Sequence, residues 1–117
     1  MSSSKAVAHY SPVVRAGPWV VVSGQLGLAD GSLVVGTGGQ VRQALVNLAE
    51  VLASVGLSLT AVVKTTVFLR HIDDFSLMNT LYAEAFGSHR PARSAVAVAD
   101  LPLGALVEIE AWAYDPS

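Results

Sequence analysis

The chain has 117 residues, 52% of them hydrophobic and only 14% charged, with a formal net charge of −2 and no cysteine. Those figures exclude disulfides, thiolate metal sites and a cysteine nucleophile, and a chain without a basic cluster is a poor partner for nucleic acid. Soluble domains carry roughly 25% charged residues, so a monomer of this composition would show water broad apolar surface, and a homo-oligomer is expected. The length predicts a single domain over 1–117 with a modest core. Met1 to Ala16 holds one early lysine, Lys5, but no continuous apolar core of signal-peptide length. No apolar run approaches the ~18 residues of a membrane span. A soluble cytoplasmic protein without a membrane partner is therefore expected.

In chain order, the first strand signal is weak and lies near Tyr10 to Arg15. Trp19-Val20-Val21-Val22 is a clearer one, bounded by Gly17-Pro18 and Ser23-Gly24. Ala29-Asp30-Gly31-Ser32 reads as a hairpin turn into Leu33-Val34-Val35, because Asp-Gly supplies the positive φ angles such turns need. Val41, Leu45, Leu48, Leu52 and Val55 then step by four, three, four and three residues along one helical face, with Gly56 placed to end the helix. Val62 to Leu69 is β-branched and aromatic enough for a strand. Asp73 or Asp74 can cap a second helix that carries Phe75, Met78, Tyr82 and Phe86. Two strands close the chain, about Ser94 to Val98 and Leu106 to Tyr114, with Leu101-Pro102-Leu103-Gly104 turning between them. Two amphipathic helices packed on one face of a mixed sheet give an α+β fold. Its other sheet face is bare unless another subunit covers it.

Side chains alternate across a strand, which sorts the charged residues. Val107, Ile109, Ala111 and Ala113 suit the helix-covered face, leaving Glu108, Glu110, Trp112 and Tyr114 on the other. In the preceding strand Val96 and Val98 are assigned to the core, so Arg93, Ala95 and Ala97 fall on the opposite face. Lys64 is placed away from the helices too. One Arg, one Lys and two Glu thus project from the face a second subunit would cover, where charge is costly unless paired or binding something. From the residues alone, an Arg93–glutamate bridge that merely holds subunits together and a ligand site are both open.

Pro91-Ala92-Arg93-Ser94, followed fifteen residues after the arginine by Glu108-Ile109-Glu110-Ala111, resembles the C-terminal signature of the RidA/YjgF family. Val63-Lys64-Thr65-Thr66-Val67-Phe68-Leu69 is similar to its middle strand. Val22-Ser23-Gly24-Gln25, Arg42-Gln43-Ala44-Leu45-Val46-Asn47-Leu48 and Asn79-Thr80-Leu81-Tyr82 match as well, in family order from about Tyr10 to Ala113. The resemblance implies a chorismate-mutase-like fold and a homotrimer with a site in each of three clefts between subunits. It implies hydrolysis of 2-aminoacrylate-type enamines, or their imine tautomers, to 2-keto acids and ammonia, with no metal and no organic cofactor. Arg93 falls at the arginine that clamps the substrate carboxylate and Glu108 at the acid that orients or activates water. Tyr10 falls at the aromatic wall, and Ser23, Gly24, Lys64 and Asn79 at positions lining or supporting the site. Two positions depart from the pattern. Ala8-His9 replaces a Gly-Pro before the tyrosine, and Ala95 replaces a cysteine two residues after the arginine, which changes the lining of the cleft without removing a group the chemistry uses.

Other signals carry blander readings. Gly36-Thr37-Gly38-Gly39-Gln40 lacks the Lys-Ser/Thr ending of a phosphate loop and reads as a flexible helix entry. His9, His71 and His89 have no metal-ligand spacing, though His9 sits beside the cleft tyrosine. Ser23 and Ser94 have no histidine or acid in register for nucleophilic work. Trp112 reads as packing, and Asn79 also suits a structural hydrogen bond. The competing functions are a non-catalytic trimer that binds a small carboxylate metabolite in the same clefts, and a chaperone-like holdase that depends on apolar surface and not on Arg93.

Overall fold

Apolar runs of four to eight residues alternate with two helical stretches, and the computed structural model, which describes residues 9–116, follows that alternation. Lys5 and Ala8 lie outside the described residues. In chain order the elements are β1 (Val13–Ala16), β2 (Trp19–Leu26), a short hairpin of β3 (Leu28–Ala29) and β4 (Ser32–Leu33), α1 (Thr37–Ala53), β5 (Val62–Leu69), α2 (Phe75–Phe86), β6 (Ala92–Ala97) and β7 (Val107–Tyr114). Five of the strands form one sheet in the order β1-β2-β7-β5-β6, while β3 and β4 pair only with each other. Only β5 and β6 run parallel; the other pairs are antiparallel. The expected mixed-sheet α+β architecture is what forms, and the weak first strand signal becomes β1.

The Asp-Gly turn behaves as its chemistry demands. Asp30 has φ 54° and Gly31 φ 82°, the two consecutive positive angles of a tight hairpin. Asn47 on α1 fastens this hairpin to the sheet by donating from Nδ2 to the carbonyls of Leu26 and Leu28, both at 2.9 Å, while Gln43 Nε2 donates to Asn47 Oδ1 and fixes the amide's orientation. Gln40 is buried with both ends of its amide used: Oε1 accepts from Leu106 N at 2.8 Å and Nε2 donates to Val34 O at 3.1 Å. A buried amide left unpaired would cost about 1–3 kcal/mol.

Both helices lie on the same face of the sheet. Val41, Leu45, Leu48 and Leu52 of α1 and Met78, Tyr82 and Phe86 of α2 enter one core with Val20, Val67, Ile109 and Ala111 from the strands. Leu48 and Leu52 are wholly buried, each stabilising by about 1.5–3 kcal/mol relative to exposure. α1 ends at Ala53, and Val55 packs from the turn beyond it, with Gly56 at φ 80° completing the reversal. Asp74 stands before α2 without capping it. Its carboxylate accepts from Thr37 Oγ1 at 2.9 Å instead and ties the starts of the two helices together. Among the described residues no helix is long and apolar enough to cross a membrane.

Among the described residues no helix lies on the second sheet face. Trp19, Trp112 and Tyr114 lie there 39–45% exposed, with Trp19 edge-on to both neighbours at ring-centroid distances of 6.1 and 5.1 Å. Phe68, Lys64, Glu108 and Glu110 share this face. Parity in β7 and β5 is therefore as expected from the sequence.

Parity in β6 is the reverse of the expectation. Arg93, Ala95 and Ala97 align with Thr65, Val67 and Leu69, whose side chains are buried under the helices, while Ser94 and Val96 turn to the open face and Val96 is 44% exposed. The error has a physical source. Assigning valine to the core assumes that the other face is polar, but the open face carries Trp19, Phe68, Trp112 and Tyr114 beside its charged residues. β6 is also an edge strand, where helix cover is thin enough to admit a small alanine and a long arginine.

Candidate functional site

Two groups of residues with unspent chemistry sit on opposite faces of the sheet. The first is built around β2 and β7. Between Val22 and Gln25 the β2 ladder takes one extra residue against Ala111-Glu110-Ile109, a bulge occupied by Ser23 and Gly24. A Cβ at position 24 would run into the Glu108 carboxyl, so only glycine lets that side chain lie across the β2 backbone. Ser23 Oγ donates to Ser11 O at 2.6 Å and Ser23 N donates to Pro12 O at 2.9 Å. Those two bonds pin the segment that carries Tyr10, whose ring is 56% exposed. The Ser23 hydroxyl proton is thereby engaged. Ser23, Gly24 and Glu108 thus lie together at the bulge, and the segment that carries Tyr10 is tied to it.

Glu108 is the titratable group at this bulge. It is half-buried and accepts no hydrogen bond among the described residues. Burial pushes its carboxyl above the usual carboxylate range, and Glu110, two residues along on the same face, pushes the same way. Lys64 occupies the same face beside Trp112, with no ion pair among the described residues.

The second group surrounds Arg93. Its guanidinium lies 4.8 Å from the Tyr82 ring centroid and 5.6 Å from that of Phe75, both on α2. Phe75 and Tyr82 are seven residues apart, two helical turns, so their rings form one strip. Tyr82 is itself held by a 2.6 Å hydrogen bond to the wholly buried Thr65 on β5. Cation–π contact with the two rings holds the guanidinium beside α2 without using its N–H groups. Among the described residues the Arg93 side chain makes no ion pair or hydrogen bond. A half-buried cation held in place without an anion is a receptor for one. Asn79, exposed on α2, lines the same cavity of about 510 Å³, together with Tyr82, Phe86, His89, Arg90, Pro91 and Arg93. His89 Nε2 lies 2.7 Å from Val62 O, which accounts for one ring nitrogen structurally.

Of the residues singled out from sequence, Ser23, Gly24 and Glu108 come together at the bulge, with the Tyr10 segment tied to it, and Arg93 and Asn79 line the cavity on the helix side. Ala95 packs at the edge of the core beneath the helices. Lys64 stays on the open face, apart from Arg93. Sequence reasoning did not identify the aromatic bed of Arg93 or the part of the cavity supplied by His89 and Arg90. Helical spacing puts Phe75 and Tyr82 on the apolar face of α2 and gives no sign that their rings also hold Arg93. The available signal was Arg-x-x-Arg beside a helix whose apolar stripe is more aromatic than a small core needs. Among the described residues no group of three His, Asp or Glu side chains could hold a metal ion.

Comparison with known proteins gives consistent matches. Residues 1–115 match the family model described as Endoribonuclease L-PSP. The chain is 46% identical over 111 residues to the bovine protein named 2-iminobutanoate/2-iminopropanoate deaminase, covering 92% of this chain and 81% of that one. It is 41% identical over 116 residues to a RutC family protein of Pyrococcus horikoshii, covering 97% and 92%. The crystal structure of Escherichia coli TdcF with bound serine superposes with a TM-score of 0.89 at 34% identity, over 93% of this chain and 90% of that one.

Proposed function

From the premise that this chain belongs to the RidA/YjgF family, the group whose model is described as Endoribonuclease L-PSP, we propose that it is a hydrolase of C=N bonds. It is of the 2-iminobutanoate/2-iminopropanoate deaminase type, taking 2-aminoacrylate-type enamines and their imine tautomers to 2-keto acids and ammonia. The observation that carries this reading is the unpaired Arg93 guanidinium fixed over Tyr82 and Phe75 at a cavity mouth. It is matched by a half-buried Glu108 with a raised proton affinity elsewhere on the same chain. Bovine and human relatives that carry the deaminase name are 46% and 42% identical to this chain. Serine, bound in the TdcF structure, is a small amino acid of the size the reaction needs.

The chemistry asked of the protein is small, because an imine carbon is already electrophilic. Arg93 holds the substrate carboxylate through a two-pronged contact, which fixes the C=N carbon in place. Water held by Glu108 adds to that carbon; a C–O bond forms and the π pair moves to nitrogen. Glu108 takes the water's proton and passes it to nitrogen, giving a carbinolamine; the carbinol hydroxyl then gives up its own proton, Glu108 relays it to nitrogen, and ammonia leaves with the C–N pair as the carbonyl forms. No electrons are gained or lost overall.

Arg93 and Glu108 project from opposite faces of one sheet, so a single copy does not bring them to one substrate. We propose that a homotrimer does, with Arg93 and Asn79 of one copy facing Tyr10, Gly24 and Glu108 of the next. The exposed Trp19, Trp112 and Tyr114 of the open face supply the apolar surface for that association.

A coupled assay tests the function. A serine or threonine dehydratase generates the enamine in situ, and keto-acid appearance is followed with the wild type, without it, and with Arg93→Ala. Acceleration that vanishes in the variant is the expected result. A folded wild type that gives no acceleration overturns the deaminase reading, and binding of a small carboxylate by that same protein would point to a non-catalytic receptor.

A further inference from the structure

The cavity beside Arg93 carries more positive charge than one carboxylate uses. Arg90 and Arg93 both line it, with His89 immediately before Arg90 in sequence, and no Asp or Glu is among its lining residues. This concentration occurs in a chain whose formal net charge is −2. Among the described residues neither arginine is in an ion pair, whereas Arg15 pairs with Asp115 at 2.9 Å. The two cations also differ in how they are held. Arg93 is half-buried on its aromatic bed, while Arg90 is exposed just ahead of β6. Three residues of extended chain set their Cα atoms roughly 10 Å apart. Long side chains can close from that distance onto the two ends of one small ligand.

We propose that this site takes imino acids with a second carboxylate, the imines of amino dicarboxylic acids, with Arg93 on the carboxylate next to the C=N carbon and Arg90 on the distal one. Arg90 is then a specificity-determining residue. Asn79, on the same cavity wall, supplies an amide that can donate to either carboxylate. The inference rests on the deaminase reading and uses the same hydrolysis. Water adds to the imine carbon and ammonia leaves with the C–N pair, so no oxidant or further reactant is consumed. An exposed arginine acts through a solvent-screened contact, so the preference weakens as salt is raised.

The test compares kcat/KM for the imine of glutamate and for 2-iminobutanoate, each generated in situ by an amino-acid oxidase with catalase present. The expected result is a preference for the dicarboxylic imine of about tenfold or more. Arg90→Ala is expected to cut the ratio of the two kcat/KM values about tenfold, chiefly through KM for the dicarboxylate, and Arg90→Lys to restore most of it. A wild type that hydrolyses 2-iminobutanoate without preferring the dicarboxylic imine, or an Arg90→Ala ratio equal to that of the wild type, overturns this proposal and leaves the deaminase reading standing. Hydrolysis of neither imine overturns both. Competition by 2-oxoglutarate and 2-oxobutanoate gives the same comparison without chemistry. Tighter inhibition by 2-oxoglutarate that Arg90→Ala abolishes is the supporting result, and equal inhibition by the two acids is the opposing one.

Discussion

In the proposed reaction Glu108 has to be ionised to take a proton from water, and two features of its surroundings resist ionisation. Burial is the larger and the Glu110 charge on the same strand face the smaller. Each raises the carboxyl's pKa, so the active fraction climbs with pH over a range above that of an ordinary carboxylate. After subtraction of spontaneous imine hydrolysis, the acid limb of kcat/KM should lie above pH ~4.3. Replacing Glu110 by Gln removes the like charge but leaves the burial. The limb of Glu110→Gln should therefore move to lower pH and remain above the ordinary carboxylate value. A limb that stays in place, or moves up, would show that Glu110 does not act on Glu108 through its charge. Arg93 presents the complementary case, a cation whose position is set by rings and not by an anion, which leaves its N–H groups available to a ligand.

At the scale of elements, the bed under Arg93 depends on how α2 sits on β5. Thr65 is wholly buried and bonds Tyr82 Oη at 2.6 Å across that packing. Thr65→Val keeps the shape but leaves the phenol without its partner in a site largely closed to water. The expected loss in unfolding free energy is about 1–3 kcal/mol, measured by urea titration, with a rise in KM larger than any fall in kcat as the Arg93 bed loosens. A loss of stability with unchanged KM would separate the bed from ligand binding. The same elements mark what the sequence could disclose. Periodicity placed α1 and α2, and alternation placed Glu108, Glu110 and Lys64 on the open face, because β7 and β5 are central strands with one face buried under helices. Arg93 escaped that logic. β6 lies at the sheet edge and the open face carries aromatic rings, so Val96 gave no indication of direction, and only pairing with β5 decides that Arg93 turns toward α2. The bulge at Ser23-Gly24 escaped too, since Gly24 answers to a carboxyl on a strand more than eighty residues later in the chain.

For the whole molecule, the sheet is both the barrier and the solution. It holds Arg93 on one side and Glu108 on the other, and it leaves an aromatic face without cover. One association resolves both facts if it covers the aromatic face and brings the Glu108 rim of one copy to the Arg93 cavity of another. Such a site can be dissected by mixing subunits. Arg93→Ala and Glu108→Gln are each expected to be inactive alone. In a trimer assembled at random from equal amounts of both, a cleft works when its Arg93 comes from a Glu108→Gln subunit and its Glu108 from an Arg93→Ala subunit. That combination occurs in about one cleft in four. Co-expression, or joint unfolding and refolding, should therefore recover about a quarter of wild-type activity, while mixing folded trimers without exchange should recover none. Absence of recovery in mixed trimers of confirmed composition would mean that both residues act within one copy. The sheet would then have to rearrange in every turnover to bring them to one side.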